Sequence, residues 1–196
     1  MLDYKTGSKS FSWGEVYAGT TIQLITYLDA LTKQKEAVPA GAFYFPMAES
    51  FQQVDSIETL GSLLGDTYRK QYKLSGVALA EKDIVMAMDS KLGSKSEVLP
   101  VSLKKNGEFS EKSNVATRQQ FDLLFQHVEN GIAEAIVGYT GGKVAPYPAK
   151  KNQDQTACKY CAFSAACGFD HVAGDAYREV PILKKNLVLE KLEHVD

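Results

Sequence analysis

The chain has 196 residues, of which 44% are hydrophobic and 23% are charged. These fractions are ordinary for a soluble globular protein and argue against a disordered chain. The formal net charge of −2 argues against a broad electrostatic attraction for nucleic acid, although a local one stays open. No apolar run approaches the roughly 20 residues that span a bilayer, and the first residues have no signal-peptide pattern. We therefore expect a cytoplasmic protein with no membrane partner.

Apolar periodicity and turn residues predict a mixture of strands and amphipathic helices. In the first half of the chain the predicted elements are the end of a strand at residues 1–5, a helix over 15–34, a strand over 39–45 and a helix over 55–68. In the second half they are a helix or strand over 83–88, a hairpin over 98–109 that turns at Asn106-Gly107, a helix from Thr117 to Gly141-Gly142 with apolar positions from Phe121 to Ile136, and a helical tail over 184–196. This mixture predicts an α/β or α+β core.

Asp3 and Lys5 lie two residues apart, so on a strand they project from the same face, while Tyr4 projects from the other. A carboxylate that binds Mg²⁺ or Mn²⁺ beside an ammonium that stabilises developing charge is a minimal site for phosphoryl chemistry. The alternative is a surface ion pair with no catalytic role.

Gln23 and Tyr27 are spaced four residues apart, which places both on one face of a helix. A helix packed on the strand of Asp3 would aim both side chains at the same pocket. In the alternative interpretation, Tyr27 is half-buried core and Gln23 is a polar residue beside it.

The three cysteines of the chain, Cys158, Cys161 and Cys167, lie within ten residues of one another. In a reducing compartment such a cluster favours metal binding over disulfides. Thiolate sites usually have four donors, so zinc with His171 as the fourth ligand, an iron–sulfur cluster and three free thiols all stay open. The missing fourth donor, and an acidic motif that begins directly at the first residues, lead us to expect the C-terminal piece of a longer protein.

The opening Asp-Tyr-Lys-Thr-Gly, followed by the Gln23-x-x-x-Tyr27 helix, resembles the RecB-type branch of the PD-(D/E)XK nuclease superfamily. The Cys-x2-Cys-x5-Cys segment is further similar to the iron–sulfur nuclease domains of AddB-type (RexB) subunits of bacterial helicase–nucleases. The resemblance extends from Asp3 to about Asp170 and therefore covers nearly the whole chain.

This resemblance implies a restriction-endonuclease-like α/β core, with a mixed sheet flanked by helices, over residues 1–145. It implies a cysteine-rich flap and tail over 146–196. In the family a further acidic ligand and a first cysteine lie upstream, so the core would be N-terminally truncated and this chain inactive alone. The implied function is a metal-dependent DNA exonuclease in double-strand-break repair, in a heterodimer with an AddA-like helicase–nuclease subunit.

The resemblance also assigns roles to individual residues. Asp3 and the backbone carbonyl of Tyr4 would bind Mg²⁺ or Mn²⁺, Lys5 would be the catalytic lysine, and Gln23 and Tyr27 would support the site and the DNA strand. The three cysteines would bind a [4Fe–4S] cluster, incomplete or absent without the fourth ligand, that staples the C-terminal segment to the domain.

A local group of lysines near the cysteines is a candidate DNA contact. Tyr147 and Tyr160 accompany it, so phosphate contacts and base stacking are both available. The alternative is a group of solvated lysines. Two other functions compete with the nuclease: a DNA-end-binding module with a vestigial pocket, and a structural module that holds a helicase subunit. The candidate lysines are Lys143, Lys150, Lys151 and Lys159.

Overall fold

The structure is a computed structural model that describes residues 1–7, 9–47 and 71–194. The predicted helix over 55–68 lies outside the described residues. The chain packs as two compact units: Met1–Phe11 with Gln23–Asp122, and Ser12–Ile22 with Leu123–Asp196. The expected domain boundary near residue 145 stays a prediction, because a division into compact units does not establish which segments fold independently.

The described elements alternate between strands and helices. The strands are β1 (Leu2–Lys5), β2 (Gly41–Pro46), β3 (Ser75–Leu79), β4 (Val115–Ala116), β5 (Ala149–Asn152), β6 (Gln155–Thr156) and β7 (Arg178–Glu179). The helices are α1 (Trp13–Tyr17), α2 (Gln23–Lys35), α3 (Lys82–Met88), α4 (Arg118–Thr140), α5 (Ser164–Cys167) and α6 (Lys185–Glu193).

The first unit is built on a mixed four-stranded sheet in the order β1-β2-β3-β4. Strand β1 runs parallel to β2, β2 antiparallel to β3, and β3 parallel to β4. Because side chains alternate along a strand, Phe43 and Tyr44 project from opposite faces. Phe43 clusters with Ala78 of β3 and Val85 of α3, so α3 covers one face. Helix α2 contacts β2 and covers the face of Tyr44. The mixed sheet flanked by helices agrees with the predicted fold class.

The predicted continuous helix over 15–34 is wrong, because the chain breaks it between α1 and α2. Gly19 adopts a left-handed φ of 70°, which glycine tolerates without steric cost. The hydroxyl of Thr20 donates to the Glu15 carbonyl at 3.1 Å, and that of Thr21 to the Glu15 carboxylate at 3.4 Å. These local bonds compete with helix continuation. Helix α2 therefore begins at Gln23.

The prediction for α4 is confirmed at both ends. The Gln120 amide nitrogen donates to the Thr117 hydroxyl at 3.2 Å, and the Thr117 amide to the Gln120 side chain at 3.0 Å, which is a capping box. The helix ends at Thr140, before Gly142 with a φ of 75°. The apolar positions are buried in the first half of the helix, whereas Ile136 is 57% exposed.

Two further predictions can be compared with the structure. Residues 82–88 form a helix, α3, rather than a strand. The predicted hairpin over 98–109 is reduced to isolated bridges, Lys95 with Ser102 and Leu103 with Phe109, although the chain does turn at Gly107 with a φ of 83°.

The second unit combines helices with a small sheet in the order β6-β5-β7. Helix α1 contacts α6, and both bury apolar side chains, including Val16 and Val188. In the parts of the chain that the structure describes, no helix has the length and apolarity needed to cross a membrane.

Candidate active site

The end of β1 brings Asp3 and Lys5 together on one face of the sheet. Each is partly buried, whereas Tyr4 projects from the opposite face and is 61% exposed. The Lys5 ammonium lies 2.9 Å from Asp3 Oδ2. The pairing that the two-residue spacing predicts is therefore present in the structure.

Helix α2 adds Gln23 and Tyr27 to the same group. Its buried Leu24 and Ile25 anchor it in the first unit, which places its N-terminal turn beside Lys5. The Lys5 ammonium donates to Gln23 Oε1 at 3.2 Å, and Gln23 Nε2 donates to the Tyr27 hydroxyl at 3.2 Å. The four residues predicted as catalytic thus form one continuous chain of contacts: Asp3, Lys5, Gln23 and Tyr27.

The sequence analysis missed a fifth member of this group, Tyr44 on β2. Its ring is buried, and the Lys5 ammonium lies 5.5 Å from the ring centroid. The register pairs Asp3 with Tyr44, so both side chains project from the same face of the sheet. Only the pairing of β1 with β2 reveals this neighbour, and no local spacing in the sequence reports that pairing.

The surroundings of Lys5 favour its charged form. The pKa of Lys5 is raised above its ordinary value, first by the close contact with the Asp3 carboxylate and further by the Tyr44 and Tyr27 side chains, against an opposing effect of desolvation. At neutral pH the side chain is therefore a cation and a hydrogen-bond donor rather than a general base.

Asp3 has a carboxylate oxygen suited to a hard divalent cation. Oδ2 is buried, and its partner among the described residues is the Lys5 ammonium at 2.9 Å. Carboxylate and carbonyl oxygens are the protein ligands that Mg²⁺ takes. Since Phe43 and Met47 donate to the carbonyls of Met1 and Lys5, the alternation of a strand directs the Tyr4 carbonyl away from β2. The Asp3 carboxylate and the Tyr4 carbonyl therefore fit a magnesium or manganese ion in their chemistry.

The cysteine segment lies in the second unit and is built of tight turns. The Cys161 amide donates to the Cys158 carbonyl, and the Cys167 amide donates to the Phe163 carbonyl in α5. All three thiols are free, Cys158 half-buried and the others exposed. The donor type suits iron. Within the described ranges, however, no three side chains of the His, Cys, Asp and Glu types are arranged to hold a metal.

His171 has structural partners near this segment. Its Nδ1 lies 2.9 Å from the Asp175 carbonyl, and its ring packs on Tyr177 at 5.2 Å. Tyr177 also contacts Phe169 at 4.7 Å. These contacts fix the His171 ring through Nδ1 and one ring face.

The four candidate DNA-binding lysines fall into two pairs. Lys150 lies 3.5 Å from Glu179 and Lys151 lies 2.5 Å from Glu15. Among the described residues no ion pair holds Lys143 or Lys159. Lys143 instead lines a cavity of about 740 Å³ in the second unit, together with Tyr139 and Tyr147, and Lys159 lies over the Tyr160 ring.

The chain is similar in sequence to known proteins over nearly its whole length. Proteins named as a subunit of an ATP-dependent helicase/deoxyribonuclease are 36% identical over 199 residues in Alkaliphilus oremlandii, 37% over 192 residues in Anoxybacillus flavithermus and 33% over 202 residues in Listeria monocytogenes. These alignments cover 98%, 91% and 98% of this chain. The chain spans only 17%, 16% and 17% of the length of these relatives.

A sequence model of the PD-(D/E)XK nuclease superfamily matches residues 1–168. That range contains the mixed sheet, the contact chain at the end of β1 and the cysteine segment. The chain therefore belongs to the PD-(D/E)XK nuclease superfamily.

Proposed function

We propose that this chain is the metal-dependent DNA exonuclease domain of a helicase–nuclease that repairs double-strand breaks. The observation that carries the proposal is the continuous contact chain from Asp3 through Lys5 and Gln23 to Tyr27. The relatives are named as a subunit of a helicase/deoxyribonuclease, which supports DNA as the substrate. That name also supports a second subunit, AddA-like in our proposal, as the partner.

In the proposed mechanism, Asp3 and the Tyr4 carbonyl would hold Mg²⁺ or Mn²⁺. When bound, this ion would act as a Lewis acid on the phosphodiester. The Lys5 ammonium stabilises the charge that develops on the phosphate oxygens. Gln23 fixes the direction of Lys5 by accepting its hydrogen bond, and Tyr27, which is 47% exposed, presents its ring to the DNA strand.

We further propose that Cys158, Cys161 and Cys167 supply three of the four thiolates of a [4Fe–4S] cluster. Three thiols within a short turn-rich segment support this choice, and zinc is the competing metal. The cluster's role would be structural: it would fix the C-terminal segment and, with it, a DNA-facing surface. Lys143 and Lys159 are the cations most available on that surface.

A non-catalytic function is the second candidate. In it, the same surface binds DNA ends while the pocket at β1 performs no chemistry. The contact chain that joins the Asp3–Lys5 pair to Gln23 and Tyr27 favours the nuclease, because a surface that only binds DNA ends does not require this group of side chains.

The deciding experiment measures Mg²⁺-dependent degradation of linear duplex DNA by the intact parent subunit, assembled with a partner whose own nuclease site has been inactivated. We expect Asp3→Asn to abolish cutting while DNA binding persists, because it removes the charge but keeps the shape. Lys5→Ala should lower the rate by roughly 10²–10³-fold, as the loss of one positioned donor does in other enzymes.

Asp122→Asn is the matched control, since Asp122 is an exposed carboxylate in the same unit; its activity should stay within twofold of the unmodified protein. An Asp3→Asn protein that digests DNA at the unmodified rate refutes the nuclease assignment and leaves the binding module.

A further inference from the structure

Lys5 is contacted from three directions, and one of the three contacts is aromatic. Asp3 lies at 2.9 Å, Gln23 Oε1 at 3.2 Å and the centroid of the Tyr44 ring at 5.5 Å. A lysine side chain is flexible and has several rotatable bonds. These contacts therefore restrict where the ammonium can be when substrate arrives.

Asp3 and Gln23 each have another partner besides Lys5, which distinguishes their contacts from that of the Tyr44 ring. In the proposed mechanism the Asp3 carboxylate also serves a divalent cation, and Gln23 also donates to Tyr27. The ring face of Tyr44 offers a negative surface that attracts a cation and is not itself a metal ligand. The Tyr44 ring is buried and lies beside Asp3 through the register of β1 with β2.

We propose that Tyr44 is a positioning residue for catalysis: the face of its ring holds the Lys5 ammonium at the phosphate. The inference rests on the proposed function, because it requires Lys5 to act in cutting. The proposed interaction is between the π electrons of the ring and the Lys5 ammonium, and it does not require the Tyr44 hydroxyl. Phe45, the next residue on β2, provides a matched comparison, since its ring projects from the opposite face and packs on Tyr4 at 5.5 Å and Tyr72 at 5.8 Å.

The test compares rings of similar shape and different electrostatics in the intact parent subunit, assembled with a partner whose own nuclease site has been inactivated. Position 44 receives phenylalanine (Tyr44→Phe) or, by nonsense suppression, pentafluorophenylalanine, whose ring face no longer attracts a cation. Position 45 receives pentafluorophenylalanine as the control. Initial rates of Mg²⁺-dependent digestion of linear duplex give kcat and KM, and thermal melting reports the fold.

We expect Tyr44→Phe to keep kcat within about twofold, and the fluorinated ring at position 44 to lower kcat by about three- to tenfold with KM unchanged. The fluorinated ring at position 45 should change neither constant. Equal kcat values for the two rings at position 44 overturn the proposal. It is also overturned if the fluorinated ring lowers the melting temperature and raises KM, because the role of Tyr44 is then packing.

Lys5→Ala, assayed in parallel, separates this proposal from the proposed function. If Lys5→Ala cuts normally, the catalytic assignment itself fails. If Lys5→Ala is inactive while the fluorinated ring at position 44 is fully active, only the role of Tyr44 fails.

Discussion

Gly76 is a position in the first unit where the sheet has no room for a side chain. It lies on β3 opposite Phe43 of β2. A Cβ atom added there would lie 2.0 Å from the Ala42 carbonyl oxygen, 2.7 Å from Phe43 Cα and 2.8 Å from Phe43 Cδ1. Two of these three atoms are backbone, so rotation of a side chain cannot relieve the overlap. Gly76→Ala should therefore force the two strands apart.

The size of the effect follows from those distances. Real Cβ atoms essentially never approach another atom closer than 3.0 Å, so the 2.0 Å contact requires a shift of about 1 Å. Overpacking costs about 1–3 kcal/mol, and each ladder hydrogen bond that is lost adds about 0.5–1.5 kcal/mol. We expect Gly76→Ala to lower the free energy of unfolding by about 3 kcal/mol or more.

Urea unfolding of the chain followed by circular dichroism measures this change. With a slope of about 1–3 kcal/mol per molar urea, the midpoint should fall by about 1 M or more. Gly93→Ala is the control in the same unit, because Gly93 has no atom within 4 Å of an added Cβ; its midpoint should stay the same or rise slightly. A Gly76→Ala protein within 1 kcal/mol of the unmodified chain would refute the tight strand pairing.

Two further predictions concern α2 and the cysteines. Leu24→Ala should destabilise the chain by about 2–5 kcal/mol, because Leu24 is fully buried; the exposed Leu31→Ala, measured by the same denaturation, should cost clearly less, and equal losses would contradict the packing of α2. The intact parent subunit, purified without oxygen, should contain about four irons per chain by elemental analysis, and Cys161→Ala should contain less than half of that. Stoichiometric zinc without iron would overturn the choice of metal.

The sequence predicts those parts of the candidate site that lie within a single strand or a single helix. Asp3 with Lys5 follows the two-residue period of a strand, and Gln23 with Tyr27 follows the four-residue spacing of a helix, so each pair could be identified within a single element. Tyr44 could not be identified, because it joins the group only through the parallel register of two strands that are distant in the chain.

The helices show the same difference between features that neighbouring residues determine and features that depend on tertiary packing. The capping box at Thr117 is local, and it marks the start of α4 correctly. The break between α1 and α2 is also local, but Thr20 and Thr21 are acceptable helix residues until their hydroxyls bond to Glu15. The exposure of Ile136 is not local: periodicity reports which face of α4 is apolar, not how far a packing partner covers it.

The ion pairs of Lys150 and Lys151 affect how DNA binding would respond to salt. Each cation that neutralises a phosphate releases condensed counterions and contributes about 0.9 to the slope of log affinity against log salt concentration. Lys150 and Lys151 are already partnered by Glu179 and Glu15, so in binding DNA they would exchange one anion for another. The four lysines near the cysteines would then contribute a slope of about two rather than nearly four. The affinity of such a surface for DNA would therefore fall less steeply with rising salt than the affinity of four unpaired lysines would.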